Sequence, residues 1–161
     1  MLESLPAERR DRLVTQDEIR RYLAANGSVR IQVAAREDGS PEMAWSDTFC
    51  FAVGADGQAK KMPFVTIVTK DYVGFDEESR LDRGLYRVNL DVGKAKFEAL
   101  FGFAPRDLAD RRGDFDFAAV DTLIPHPAYG ANGWVSIVEP GKRSDDKLKG
   151  LLDFAIHRAL A

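Results

Sequence analysis

The chain has 161 residues, 45 % of them apolar and 30 % charged, a length and mix that suit one folded domain and leave little room for a second core. Lys and Arg number 23 against 26 Asp and Glu, and the resulting charge of −3 excludes a surface basic throughout, of the kind that holds duplex DNA, though not a local basic patch. Cys50 has no second cysteine to pair with, no window has the apolar length of a membrane helix, and the first residues lack a signal-peptide core, so a cytoplasmic protein off the membrane is expected.

Residues 1–14 are charged and interrupted by Pro6, and read as an extension of a single domain spanning 15–161. Thr15 with Glu18 three residues on reads as a capping box, with Val14 and Ile19 at staple positions. Ile19, Tyr22 and Leu23 then make a narrow helical stripe that Asn26-Gly27 ends. The period changes to two at Val29, Ile31 and Val33, and Asp38-Gly39-Ser40-Pro41 turns the chain into a second strand carrying Trp45, Phe49, Phe51 and Val53. Cys50 in that apolar run reads as a buried structural thiol. Phe64 to Val68, apolar except at Thr66, predicts a central strand, and Tyr86, Val88 and Leu90 alternate with Arg87 and Asn89 in a fourth.

Phe97, Leu100 and Phe101 mark a short helix that Gly102 stops. The charge-dense stretch Ala104 to Asp116 reads as a solvated loop. Two last strands, near Thr122 to Ile124 and Trp134 to Val138, flank the loop around His126. A final helix follows, with Ser144 as its cap and Leu148, Leu151, Leu152, Ala155, Ile156 and Ala159 on one face. Consecutive hairpins with so few strand-helix-strand units imply an α+β fold, a curved and mainly antiparallel sheet with helices packed on one face.

The common phosphate-loop, dinucleotide, nucleophile-elbow and zinc motifs are absent from the sequence, so no catalytic residue, metal or cofactor is assigned. His157 falls on the outer side of the last helix as a cation near its C-terminus. His126 lies between Pro125 and Pro127, which restrict its backbone and fix where the imidazole points. With Tyr129 and Trp134 nearby it reads either as a ligand contact or general acid-base, oriented by Asp121 or Asp47, or as a packed loop histidine. Lys70, Arg80, Arg83 and Arg87 gather around one connection among Asp71, Asp76, Glu77, Glu78 and Asp82. That cluster fits a salt-bridge network pinning a long loop and an anion site alike. Arg87 and Asn89 project from one strand face, and with Asp47 and Thr66 on neighbouring strands they would form a polar patch suited to a small ligand.

The strings TIVTKDY, SRLDRGLYRVNL, FEALFG, HPAYGANGW and VEPG, in that order over Thr15 to Leu160, resemble a bacterial family classed only as a domain of unknown function. More loosely the order of elements is similar to the MmcQ/YjbR-like proteins. That resemblance implies a helix, a curved antiparallel sheet, a C-terminal helix and a DNA-binding role. The longer Lys70 to Arg83 connection, the histidine loop and the acidic balance depart from the wider family. The leading expectation is a small-ligand, anion-binding domain using Arg87, Asn89, His126, Tyr129 and Trp134, with Asp47, Lys70, Arg80 and Arg83 in reach. The alternatives are nucleic-acid binding through Lys70, Arg80, Arg83 and Arg87, and a hydrolase or metal-assisted enzyme centred on His126.

Overall fold

The computed structural model describes residues 15–161; the extension 1–14, and with it Val14 as a staple partner, lies outside the described residues. Helix α1 (Gln16–Ala24) starts where the sequence predicts it, with the Thr15 hydroxyl accepting the Glu18 amide at 3.1 Å. Ile19 and Leu23 are its buried residues. Six strands follow: β1 (Val29–Val33), β2 (Thr48–Ala52), β3 (Val65–Val68), β4 (Arg87–Asp91), β5 (Leu123–Pro125) and β6 (Trp134–Val138). They form one open sheet in the order β1-β2-β3-β4-β6-β5, every neighbouring pair antiparallel. With α2 (Gly93–Phe101), α3 (Leu108–Arg111) and α4 (Asp145–Leu160), the chain has an α+β fold. Among the described residues no helix is long and apolar enough to cross a membrane.

The register separates two faces with different chemistry. Cys50, Val65, Leu90 and Val135 align across the strands, as do Ile67, Val88 and Ile137, and all are buried against Ile19, Leu23, Phe97, Leu148, Leu151, Leu152 and Ala155 from the helices. Burial pushes the Cys50 thiol up to about 12, as befits a residue that packs rather than reacts. The opposite row reads Gln32, Phe49, Thr66, Asn89, Ser136 and Ile124 from edge to edge. Phe49 and Phe51 therefore lie on the face away from the helices. Trp45 and Asp47 precede β2 rather than belonging to it.

Two local expectations need correction. The stretch 104–116 is not an open loop: it folds into α3 between two 3-10 turns, Pro105–Asp107 and Arg112–Asp114. Two of its cations stand over rings, Arg111 4.7 Å from the centre of Phe103 and Arg112 4.5 Å from that of Phe117, and Leu108 is buried, while Arg106, Asp107, Asp110, Asp114 and Asp116 are exposed as expected. Ser144 stands at the N-cap of α4 without capping it. Its hydroxyl donates instead to Asp121 at 2.6 Å, and Asp121 also accepts the Gly141, Arg143 and Ser144 amides.

The loop between β5 and β6 is seated by a close backbone approach. Gly133 has a φ of +89°, and a Cβ built there would lie 2.7 Å from the carbonyl carbon of Gly93, where α2 begins. Strain and clash act together at this position. Gly133→Ala is expected to destabilise the protein by about 2 kcal/mol or more, read as a lower urea midpoint; an unchanged midpoint would contradict this seating.

Candidate functional site

The polar face of the sheet is closed by the connection from β3 to β4. Asp47, fully buried, anchors its start: one carboxylate oxygen accepts the Thr69 amide (2.9 Å), the Thr69 hydroxyl (2.8 Å) and the Lys70 ammonium (3.0 Å), and the other accepts the Tyr72 hydroxyl. Lys70 also donates to the Trp45 carbonyl at 2.7 Å. Asp71 and Asp82 tie the two ends of the connection by accepting each other's neighbouring amides, Leu81 to Asp71 at 2.8 Å and Asp71 to Asp82 at 3.0 Å. Tyr72 and Asp76 exchange backbone bonds of 2.9 and 2.8 Å, which turns the Asp76 carboxylate down onto the sheet.

There it meets Arg87, whose side chain has no exposed surface. The guanidinium has five N–H donors. Its Nε donates to Asn89 Oδ1 (2.7 Å), Nη1 to Asp76 Oδ1 (3.0 Å) and Ser79 Oγ (2.9 Å), and Nη2 to Asp76 Oδ2 (2.5 Å). Asn89 Oδ1 also accepts the Ser136 hydroxyl at 2.7 Å, while its Nδ2 donates to Thr66 Oγ1 at 3.0 Å. Burial pushes the Asp76 pKa up, but the hydrogen bonds and charge of Arg87 outweigh it and hold the carboxyl below the usual range. The fifth donor, on Nη2, faces His126 Nε2 at 3.4 Å.

His126 is 3 % exposed. Its Nδ1 accepts two backbone amides, Ala128 at 3.0 Å and Tyr129 at 2.9 Å, a turn that Pro127 initiates. A proton on Nδ1 would oppose two close N–H groups, whereas a proton on Nε2 opposes one more distant N–H of Arg87. The network thus assigns the ring proton to Nε2. Burial first, and then the Arg87 charge, lower its pKa to about 3 against the pull of Asp76, so the ring is neutral near pH 7. The Tyr129 ring centre lies 4.9 Å from the imidazole and that of Trp134 6.2 Å, and Phe75 meets Tyr129 edge to face at 5.6 Å.

Arg87, Asn89, His126, Tyr129 and Trp134 therefore converge. The other predicted residues do not join them. Asp47 and Lys70 form the separate anchor described above. Arg83 donates to the carbonyls of Arg80, Ser79 and Ala118, and Arg80 stands exposed. The four-cation cluster is dispersed, three of its members onto internal partners and Arg80 to the surface. Neither Asp121 nor Asp47 orients His126: the first holds the start of α4 and the second holds Lys70, and backbone amides do the orienting. Sequence reasoning missed Ser79, Ser136 and Phe75 as members of this site, and Asp76 as the partner of Arg87. It also missed Arg112, which bridges Glu78 and the Pro127 carbonyl (3.1 Å) and so ties the connection to the histidine loop. Among the described residues no three His, Cys, Asp or Glu side chains gather as metal ligands.

A family model matches residues 14–161, and its description is a family of unknown function, DUF6194. Neither a curated protein nor a solved structure matches the chain.

Two measurements check the buried network. Asp76→Asn leaves the Arg87 charge buried without its counter-ion and is expected to lower stability by about 3 kcal/mol or more; urea unfolding reads the loss. The unfolded His126 takes a proton below its ordinary 6.5 and the folded one only near about 3, so stability should fall as the pH drops through that window, with Asp76 adding its share below 3.8. His126→Asn should flatten the part above about pH 4, and an equally steep acid profile in that variant would refute the assignment.

Proposed function

For this chain, which belongs to the DUF6194 family of unknown function, we propose the role of a small-ligand binding domain whose ligand places one oxygen acceptor against Arg87 Nη2 and His126 Nε2. The observation that carries this is the pair of backbone amides on His126 Nδ1, from which the tautomer is assigned. With Nδ1 committed to two amides, the Nε2 proton and the last Arg87 proton are neighbouring buried donors, and neither is an acceptor for the other. Buried donors without an acceptor are disfavoured by about 1 to 3 kcal/mol each, so an oxygen that reaches both gains twice.

Charge narrows the ligand. Asp76 already neutralises Arg87 and lies against the same corner, so a carbonyl or a single carboxylate oxygen suits it better than a phosphate dianion. The rim is aromatic: Phe75 is 58 % exposed and Tyr129 44 %, and their rings suit a flat organic group. The ligand is thus a small planar carboxylate or amide, a narrower class than anions at large. Nucleic-acid binding through Lys70, Arg80, Arg83 and Arg87 finds little support, because three of those cations are already bonded internally. A general-acid role for His126 at neutral pH is likewise at odds with its neutral, amide-held ring. The cytoplasm remains the compartment this reading expects.

A thermal-shift series with benzoate, benzamide, acetate, phosphate and sulfate tests the proposal. Benzoate or benzamide at about 10 mM should raise the midpoint by a few degrees, phosphate and sulfate should not, and His126→Asn should abolish the rise. No shift with any aromatic compound, or an equal shift with sulfate, would remove the basis for it.

A further inference from the structure

β1 is an edge of the sheet, paired with β2 on one side only. The bonds that flank it fix which of its backbone groups face outward. Val53 donates to the Ser28 carbonyl at 2.8 Å and Ala34 to that of Asp47 at 2.9 Å, so by the alternation of an antiparallel ladder Arg30 and Gln32 also turn their backbone groups toward β2. Val29, Ile31 and Val33 turn theirs away. The Val29 amide goes to the Asn26 carbonyl at 3.1 Å. The Ile31 and Val33 N–H groups and the carbonyls of Val29, Ile31 and Val33 are left without a partner among the described residues. β1 holds no proline, its register with β2 runs unbroken over five residues, and Val33 is 44 % exposed. A regular edge of this kind is a template for another strand.

The strand that fits this edge is its own copy. An antiparallel pairing centred on Ile31 sets Ile31 against Ile31, Val29 against Val33 and Arg30 against Gln32 of the second copy. Every free donor then meets a free acceptor: the Ile31 N–H groups bond the facing Ile31 carbonyls, and each Val33 N–H bonds the Val29 carbonyl of the other copy. The charges agree with this register. The Arg30 side chain is exposed and has no ion pair or hydrogen bond among the described residues. Gln32 holds a carboxylate, donating to Asp38 Oδ2 at 3.0 Å while the Ser40 amide bonds Oδ1 at 2.9 Å. Directly opposed side chains lie about 5 Å apart at Cβ, so each free guanidinium comes alongside the carboxylate that the other copy's Gln32 holds. Two cations and two carboxylates meet there without net charge. We propose that the chain self-associates through β1 into a two-fold dimer in which two six-stranded sheets become one. A joint of one short strand per copy is small, so the dimer is weak and reversible. β1 and β5, which leads into the His126 loop, are opposite edges of the sheet, and neither proposal depends on the other.

Sedimentation equilibrium of the full chain from about 5 to about 500 µM tests the proposal, with a reversible monomer–dimer equilibrium of Kd in the tens of micromolar expected. Val33→Pro removes an N–H that faces away from β2, so the variant should fold and remain a monomer throughout that range. A charge exchange gives a readout that does not rest on proline. Arg30→Glu and Asp38→Lys should each weaken the dimer about tenfold or more when alone, because like charges then face each other across the joint. Mixed in equal amounts, the two variants should recover a heterodimer within about threefold of the original Kd, since each charge again meets its opposite. A chain that stays monomeric at about 500 µM, a dimer that persists in folded Val33→Pro, or a mixture no tighter than its separate components would overturn the proposal.

Discussion

The Arg87 guanidinium lies buried in β4, an interior strand of the sheet, and a charge so placed is tolerable only when its partners are complete. Most of what is unusual about the polar face follows from that requirement. Asp76 must be brought down onto the sheet, so the β3-to-β4 connection closes on itself through the Tyr72–Asp76 backbone exchange and is clamped at its start by Asp47. Ser79 must face inward, and Asn89 must turn its carbonyl oxygen toward Arg87, an orientation set by Thr66, which takes the amide nitrogen, and by Ser136, which donates to the same oxygen. The sheet thereby becomes two-sided: hydrophobic burial under the helices, and a satisfied polar network under the connection.

Placed against that network, His126 has an unusual assignment. A histidine beside a carboxylate ordinarily gains a proton more readily; here burial and the guanidinium prevail, and the backbone amides of Ala128 and Tyr129 take the only free lone pair. The imidazole is fixed as a donor. Arg112, through Glu78 and the Pro127 carbonyl, couples the loop that carries this histidine to the connection that carries Asp76. The geometry of the corner thus depends on three separate segments meeting, with the short helical turns of 105–114 as the brace.

These strands were legible from two patterns: alternation at Val29 to Val33 and Tyr86 to Leu90, and a nearly unbroken apolar run at Phe64 to Val68, and all three lie where the patterns put them. The adjacency of Thr66, Arg87 and Asn89 was legible for the same reason. Partner choice was not. Asp76 is eleven residues from Arg87 along the chain, in a stretch with four other acids, and nothing in the string distinguishes it until the turn at Tyr72 is built. The 104–116 stretch misled as to its backbone rather than its surface: most of its charges are exposed, but the chain is helical there, Leu108 is buried, and Arg111 and Arg112 stand over phenylalanine rings. Ser144 stands at a cap position, but its hydroxyl goes to Asp121, which gathers the amides of Gly141, Arg143 and Ser144 just ahead of the helix.

The central claim is that His126 is a neutral donor at Nε2. Long-range nitrogen–proton NMR of the imidazoles reads it directly. The account predicts a bare, amide-bonded Nδ1 and a protonated Nε2 for His126, unchanged from about pH 7 to about pH 4. A proton on Nδ1, or an imidazolium forming at His126 near pH 6, would contradict it.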